Sequence, residues 1–322
     1  MNFEPNYPSI LLAWLALIGG LVLLTAGGEF LVTGAGKLAK RLGMSSLLIG
    51  LTIVAFGTSM PELFVGLIAL FQDHPDILTG NAIGSNIANV GLILGICALI
   101  TPLPVKFKLV SRELYIVLAA TIVVFIFAWH GFFPRFLGIA FVAFLIFYTV
   151  QSFRQAANNK TSKQNEHQQD NADEFTALPP IILLIIIGLA LLPVGSNFFI
   201  KGAVDIARHF GVSDLVIGLT LAAVGTSLPE LASCLAAIRQ RQTNILVGNI
   251  IGSNLFNLLM VLGFCGLLVP FPMSANLLFR DIPVMFSLSA VLLPLLAVQH
   301  GLKRFHGFIL LASYISYLFI LR

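Results

Sequence analysis

The stretch Gly57-Thr58-Ser59-Met60-Pro61-Glu62 sets a carboxylate, two hydroxyls and a proline inside a long apolar run. It is written twice. The second copy, Gly225-Thr226-Ser227-Leu228-Pro229-Glu230, lies 168 positions later, and the same offset relates a downstream partner of each. These partners are Gly80-Asn81-Ala82-Ile83-Gly84-Ser85-Asn86 with Asn89, and Gly248-Asn249-Ile250-Ile251-Gly252-Ser253-Asn254 with Asn257. The chain therefore carries an internal duplication, with one acid per copy and no lysine or arginine within either motif.

Of 322 residues, 58% are hydrophobic and only 10% charged, against about a quarter charged in an ordinary globular domain. Apolar stretches near the ~20 residues that cross a bilayer fill almost the whole length. This implies an all-α polytopic membrane protein with no room for a sizeable soluble domain. Five spans, near 10–40, 44–70, 77–101, 111–129 and 133–153, precede a polar Gln/Asn-rich segment. Five more follow, near 178–208, 212–238, 245–269, 281–299 and 303–321. The expected organisation is a five-helix unit over 1–153, a solvated linker over 154–177 and a second five-helix unit over 178–322. The first apolar run has no basic segment before it and no A-x-A site after it, so it reads as a span rather than a signal peptide. Cys97, Cys234 and Cys265 sit in apolar stretches without C-x-x-C spacing, which argues against a disulfide framework or a zinc site.

The net charge of +4 does not imply nucleic acid, because in a membrane protein the distribution of Lys and Arg matters more than their sum. With the N-terminus outside, the cytoplasmic side receives Lys37, Lys40, Arg41, Lys106, Lys108, Arg112, Arg154, Lys160, Lys163, Arg239, Arg241, Lys303 and Arg304. The other side receives only Arg135, Lys201, Arg208, Arg280 and Arg322. Both termini are thus expected outside and the linker in the cytoplasm. An odd number of spans per half makes the second half enter from the opposite side, giving ten transmembrane helices as two inverted five-helix repeats. Transporters of that kind place their substrate site at the repeat interface, near the midplane.

An ionised carboxylate within a span costs roughly 2.5–3.5 kcal/mol on insertion scales and needs a partner. A mobile cation is the natural one. Pro61 and Pro229 have no N–H for the carbonyl four residues back, and Gly57 and Gly225 let the chain unwind there, freeing carbonyl oxygens near the acids. Thr58, Ser59, Thr226 and Ser227 add hydroxyls, and Ser85 with Asn89, like Ser253 with Asn257, present a hydroxyl and an amide on one helix face. All are hard oxygen donors, suited to Ca²⁺ and Na⁺ rather than to zinc or copper.

The pairing of G-T-S-x-P-E with G-N-x-x-G-S-N-x-x-N, once in each half, resembles the alpha repeats of the sodium/calcium exchanger family within the calcium/cation antiporter superfamily. The resemblance covers essentially the whole chain and implies a minimal prokaryotic member in a bacterial or archaeal plasma (inner) membrane. It implies Ca²⁺ and Na⁺ as substrates exchanged by alternating access, no cofactor and no enzymatic activity. Carried over by position, it makes Glu62 and Glu230 the central acids, with ligands from Thr58, Ser59, Ser85, Asn89, Thr226, Ser227, Ser253 and Asn257 and from carbonyls near Ala55 and Ala223. Some relatives carry aspartate where Asn257 stands.

A proton/calcium or potassium-dependent sodium/calcium exchanger would use the same acids. A cation channel would draw rings of carboxylates or carbonyls from several subunits, whereas here both acids lie in one chain. A monomer surrounded by lipid is the expected functional unit. An intramembrane hydrolase would need a nucleophile–base pair or a metal-ligand cluster, and neither motif holds His or Cys. Glu29 falls opposite Asn197, outside the duplicated set, and is expected at a vestibule or helix interface. The first and sixth spans, long and glycine-bearing, are the expected sliding pair. His130, His300 and His306 are expected to face water or headgroups near span ends.

Overall fold

The computed structural model describes residues 6–164, 177–212, 225–299 and 301–320. Ten helices follow one another: α1 Ile10–Leu42, α2 Ser46–Phe71, α3 Pro75–Ile100, α4 Phe107–Trp129, α5 Arg135–Gln164, α6 Leu178–His209, α7 Leu228–Arg239, α8 Thr243–Leu268, α9 Leu277–Ala297 with a further turn to Gln299, and α10 Arg304–Ile320. Eight are long and apolar enough to cross a membrane. The described part of α7 and the shorter α10 complete the expected ten. α5 runs to Gln164, beyond the expected end of its span. The rest of the linker lies outside the described residues, as does the first part of the seventh span.

α1 and α6 pack lengthwise through glycines seven residues apart, Gly20, Gly27 and Gly34 on one and Gly188, Gly195 and Gly202 on the other. A Cβ on Gly188 would lie 2.6 Å from the backbone nitrogen of Leu31, and one on Gly202 would lie 2.5 Å from the carbonyl of Ala13. In lipid there is no hydrophobic drive between helices, and such backbone approach is what lets dispersion hold them. The end of this pair is tied as well. Asn6 N and Nδ2 and Tyr7 N donate to the Asp205 carboxylate at 3.1, 2.9 and 2.8 Å.

Two short backbone bridges link loops of the two halves. Strand β1, Phe132–Phe133, pairs antiparallel with β2, Phe271–Pro272, and the rings of Phe133 and Phe271 stack at 4.8 Å. Leu103 and Leu302 exchange N–H···O bonds of 2.8 and 2.9 Å. Leu103 and Phe271 occupy equivalent positions of the duplication. Gly301 makes the second bridge possible, because its φ of 140° and the Leu103 carbonyl against it leave no place for a side chain.

α3 and α8 form the centre, and the apolar window of α8 is buried over its whole length. Both contain one π-helical segment, Asn89–Leu94 and Asn257–Leu262, again at equivalent positions. Such widened turns recur at functional sites. His130 is exposed as expected, and His300 lies outside the described residues. His306 departs from expectation: it is buried, and its Nδ1 accepts from Lys303 N at 3.1 Å. The side chain serves the open N-terminus of α10, where backbone donors lack helical partners.

The glycine seam makes a direct prediction. Gly20 faces the backbone of α6 and Gly19 faces open space, so Gly20→Val lowers the melting temperature of detergent-purified protein and Gly19→Val does not. Equal effects would show that the seam carries no packing.

Candidate functional site

Both acids are placed by the same local break. In α2 the helix is interrupted at Ser59 (φ −86°, ψ 2°) and restarts with Met60 and Pro61, and Ser227 (φ −88°, ψ 4°) precedes Leu228 and Pro229 in the same way. Proline is tolerated in a first turn, where its missing N–H costs nothing. Glu62 and Glu230 then sit in the first turn of the second helix segment, where the partial positive charge of the helix start favours a carboxylate. Instead of unwinding at Gly57, α2 widens one turn earlier into a π segment at Gly50–Val54 and then resumes over Ala55–Thr58. The Ala55 carbonyl accepts from Ser59 N at 3.0 Å, with Thr58 Oγ1 at 3.4 Å.

Neither acid has any exposed surface. They lie close enough to repel one another, and each is flanked by hydroxyls of both halves: Thr226 and Ser85 beside Glu62, and Thr58, Ser59 and Ser253 beside Glu230. Ser59 Oγ and Ser253 Oγ each stand 3.5 Å from Glu230 Oε1, the long limit of a hydrogen bond. Ser85 Oγ and Thr226 Oγ1 are 3.4 Å apart, as are Thr58 Oγ1 and Ser253 Oγ.

The facing surfaces of α3 and α8 join through four asparagines. Asn89 Nδ2 donates to Asn254 Oδ1 at 3.1 Å and Asn257 Nδ2 donates to Asn86 Oδ1 at 3.0 Å, the same bond made twice with the halves exchanged. Asn86 Nδ2 also reaches the Asn254 carbonyl at 3.2 Å. This arrangement leaves Asn89 Oδ1 and Asn257 Oδ1 buried without a partner. Glu62 Oε1 and Oε2, Glu230 Oε2 and Ser227 Oγ are in the same condition. Buried polar atoms are ordinarily satisfied, and these oxygens keep lone pairs that a cation can engage. Among the described residues, no three His, Cys, Asp or Glu side chains gather to hold a metal. The formal charge at the centre is that of two carboxylates.

Two cavities approach this cluster, and Thr226 lines both. One, of about 380 Å³, is also lined by Asn81, Ser85, Arg280, Asp281 and Tyr317. The other, of about 290 Å³, runs past Pro61, Pro229, Ser196, Asn197 and Lys201. Ser196 Oγ donates to the Gly225 carbonyl at 2.8 Å, joining α6 to the start of the second motif.

Of the residues picked out in the sequence, Glu62, Glu230, Thr58, Ser59, Ser85, Thr226 and Ser253 come together, Asn89 and Asn257 join the facing surfaces of α3 and α8, and Ser227 is buried. Ala223 lies outside the described residues. Glu29 is at a helix interface, with Oε1 3.1 Å from Arg239 Nη1 and Oε2 accepting from Gln240 Nε2 at 2.8 Å. Two further acids were missed. Tyr317 donates to Asp281 at 2.9 Å and Tyr148 donates to Glu113 at 3.1 Å. Asp281 stands 168 positions after Glu113, and Arg280 the same distance after Arg112, so the duplication itself carried the signal.

A ten-helix membrane bundle with hard oxygen donors collected at its buried centre defines a cation transporter of the secondary, carrier class. The model of the family described as sodium/calcium exchanger protein matches residues 12–154 and again 180–322. The chain belongs to that family, whose members are transporters working without a cofactor. It is 34% identical to the sodium/calcium exchanger MaX1 of Methanosarcina acetivorans over 96% of this chain and 98% of the relative. It is 37% identical to the inner membrane protein YrbG of Escherichia coli over 88% of each. A solved structure of the sodium-calcium exchanger NCX_Mj, from crystals soaked with 10 mM Na⁺ and zero Ca²⁺, superposes with a TM-score of 0.83 at 32% identity, covering 98% of this chain and 100% of that one.

Uncompensated buried carboxylates cost stability. In ion-free, chelator-treated protein, Glu62→Gln and Glu230→Gln are each expected to raise the melting temperature by a few degrees. Destabilisation by both would mean that the carboxylates have fixed internal partners.

Proposed function

We propose that this protein is an antiporter that exchanges Ca²⁺ for Na⁺ by alternating access at one site shared by Glu62 and Glu230. The observation that carries the reading is the set of buried, orphaned oxygens on Glu62, Glu230, Asn89 and Asn257. Two carboxylates balance one Ca²⁺, and neutral carbonyls and hydroxyls complete a shell of the oxygen type that Ca²⁺ takes. The same oxygens divided among Na⁺ ions make the two substrates compete, and competition for one site is the physical basis of coupling. Thr58, Ser59, Ser85, Thr226, Ser227, Ser253 and backbone near Ala55 and Ala223 are the remaining ligands of this reading. The names of MaX1 and NCX_Mj, both sodium/calcium exchangers, support it.

The halves 1–153 and 178–322 act as inverted repeats, with both termini outside, the 154–177 linker in the cytoplasm and the protein a monomer in the plasma membrane. The continuous seam between α1 and α6 supports their moving as one body against the helices that hold the site. With three Na⁺ for one Ca²⁺, one net charge crosses per cycle, worth about 2.3 kcal/mol per 100 mV.

The test is ⁴⁵Ca²⁺ uptake into proteoliposomes loaded with Na⁺, with K⁺ or with a proton gradient. Uptake is expected to need internal Na⁺, to accelerate when the interior is made positive, because each cycle carries one net positive charge outward, and to fall to background in Glu62→Gln and Glu230→Gln. Uptake driven equally by protons, or demanding K⁺, would replace this reading with the corresponding exchanger.

A further inference from the structure

Serine hydroxyls reach Glu230 Oε1, but the threonines beside the two acids give their protons to other acceptors. Thr226 and Ser85 stand near Glu62, yet no hydroxyl meets Glu62 Oε1 or Oε2 in good hydrogen-bond geometry. Thr58 flanks Glu230, whose Oε2 is likewise unmet. A hydroxyl next to a bare carboxylate ordinarily turns its proton to it, because bonds to ionised acceptors are roughly twice as strong as neutral ones. Here the threonine protons go elsewhere.

Asn249 and Asn81 take them, and the surrounding donors fix which way each amide points. Ser233 Oγ donates to the Glu230 carbonyl at 2.9 Å, an atom that can only accept. With its one proton committed, Ser233 must accept from Asn249 Nδ2, 2.9 Å away. The Asn249 Oδ1 therefore faces Thr58 Oγ1 at 3.0 Å, and Thr58 must be the donor. In the other half, Asn81 Nδ2 donates straight to the Glu62 carbonyl at 3.1 Å, and Asn81 Oδ1 accepts from Thr226 at 3.2 Å. Each chain of bonds starts from the main chain of an acid and ends on the threonine beside that acid's own carboxylate, although the threonine belongs to the other half.

We infer that Asn81 and Asn249 are positioning residues: they draw the hydroxyl protons of Thr226 and Thr58 away from Glu62 and Glu230, so that the threonines offer lone pairs to a Ca²⁺ held by those acids. This rests on the proposed shared cation site. An alanine at either position releases the threonine, which rotates to donate to its carboxylate. The site then satisfies itself internally and binds the cation less well.

The test is a pair of double-mutant cycles on the full-length purified chain, Asn249→Ala with Thr58→Val and Asn81→Ala with Thr226→Val. They are read by ⁴⁵Ca²⁺ binding, by the KM for Ca²⁺ uptake and by melting temperature in chelator. Each asparagine substitution is expected to weaken Ca²⁺ binding about tenfold and raise KM alike, the scale of one lost polar ligand. In the valine background the same substitution should add less than about twofold, since the hydroxyl it controls is gone. Additive losses, or a lower melting temperature with unchanged Ca²⁺ affinity, would leave the asparagines as helix glue and overturn the inference. Infrared spectra of the Ca²⁺-free protein give a readout independent of how the alanine variants fold. Thr58→Val and Thr226→Val should leave the carboxylate stretching bands in place, and a shift in those bands overturns the inference. Wild-type Ca²⁺ affinity in Glu62→Gln and Glu230→Gln would instead remove the shared site itself.

Discussion

Two carboxylates held without exposure in the middle of a helical membrane bundle set the terms for everything around them. Among the described residues, no lysine or arginine pairs with either Glu62 or Glu230. In water such a pair would be unremarkable. In a low-dielectric interior, mutual repulsion and lost hydration make the empty state poor, and any cation that enters is attracted strongly. The broken helices at Ser59 and Ser227 supply helix starts near the acids, and that partial charge makes the arrangement tolerable without neutralising it. The asparagine belt acts in the same direction. Asn89 and Asn257 each spend an amide N–H on an asparagine of the other half, which leaves their own Oδ1 atoms buried without a partner.

A site that must be reached from two sides needs a firm frame and a part that can shift against it. The two bridges, β1 with β2 and Leu103 with Leu302, fasten loops between the third, fourth, fifth, eighth, ninth and tenth helices. None of them involves α1 or α6. Those two helices are joined to each other by close backbone contact along their length and to the frame by more local devices: Gly28 against Ala232, Ser196 on the Gly225 carbonyl, and Glu29 with Arg239 and Gln240. The Glu29 contacts have no copy at the duplicated position, where Asn197 lines a cavity. Among the described residues, the contacts of this pair with its neighbours thus differ between the two halves although the halves are alike in sequence.

Much of this was legible in the residues alone. The apolar runs mark the helices, because few ways exist to satisfy a backbone in lipid, and the 168-residue offset ties Glu62 to Glu230 and Ser85 to Ser253. What sequence could not supply was the direction of hydrogen bonds. Asn81 and Asn249 read equally well as interhelical glue, and only the fixed donor at Ser233 and the Glu62 carbonyl decide which end of each amide faces a threonine. The π segment at Gly50–Val54 was also hidden, since widening by one residue leaves no periodic mark in so short an apolar run. Position near a span end suggests water for His306, whereas its ring is buried and its Nδ1 accepts from the backbone of Lys303.

Having asparagine at both Asn89 and Asn257 fixes the charge arithmetic of the proposed cycle. With both acids ionised, as the proposed cycle takes them, the Ca²⁺-loaded form is neutral at its centre and three Na⁺ leave it with one positive charge. The return of the neutral form does not sense the membrane potential, and the voltage dependence falls on the Na⁺-loaded step. An additional acid at either asparagine position would reverse that assignment, making the Ca²⁺-loaded form anionic and the Na⁺-loaded form neutral. The amide pair thus does more than join α3 to α8. In the proposed cycle it sets which half the membrane potential drives.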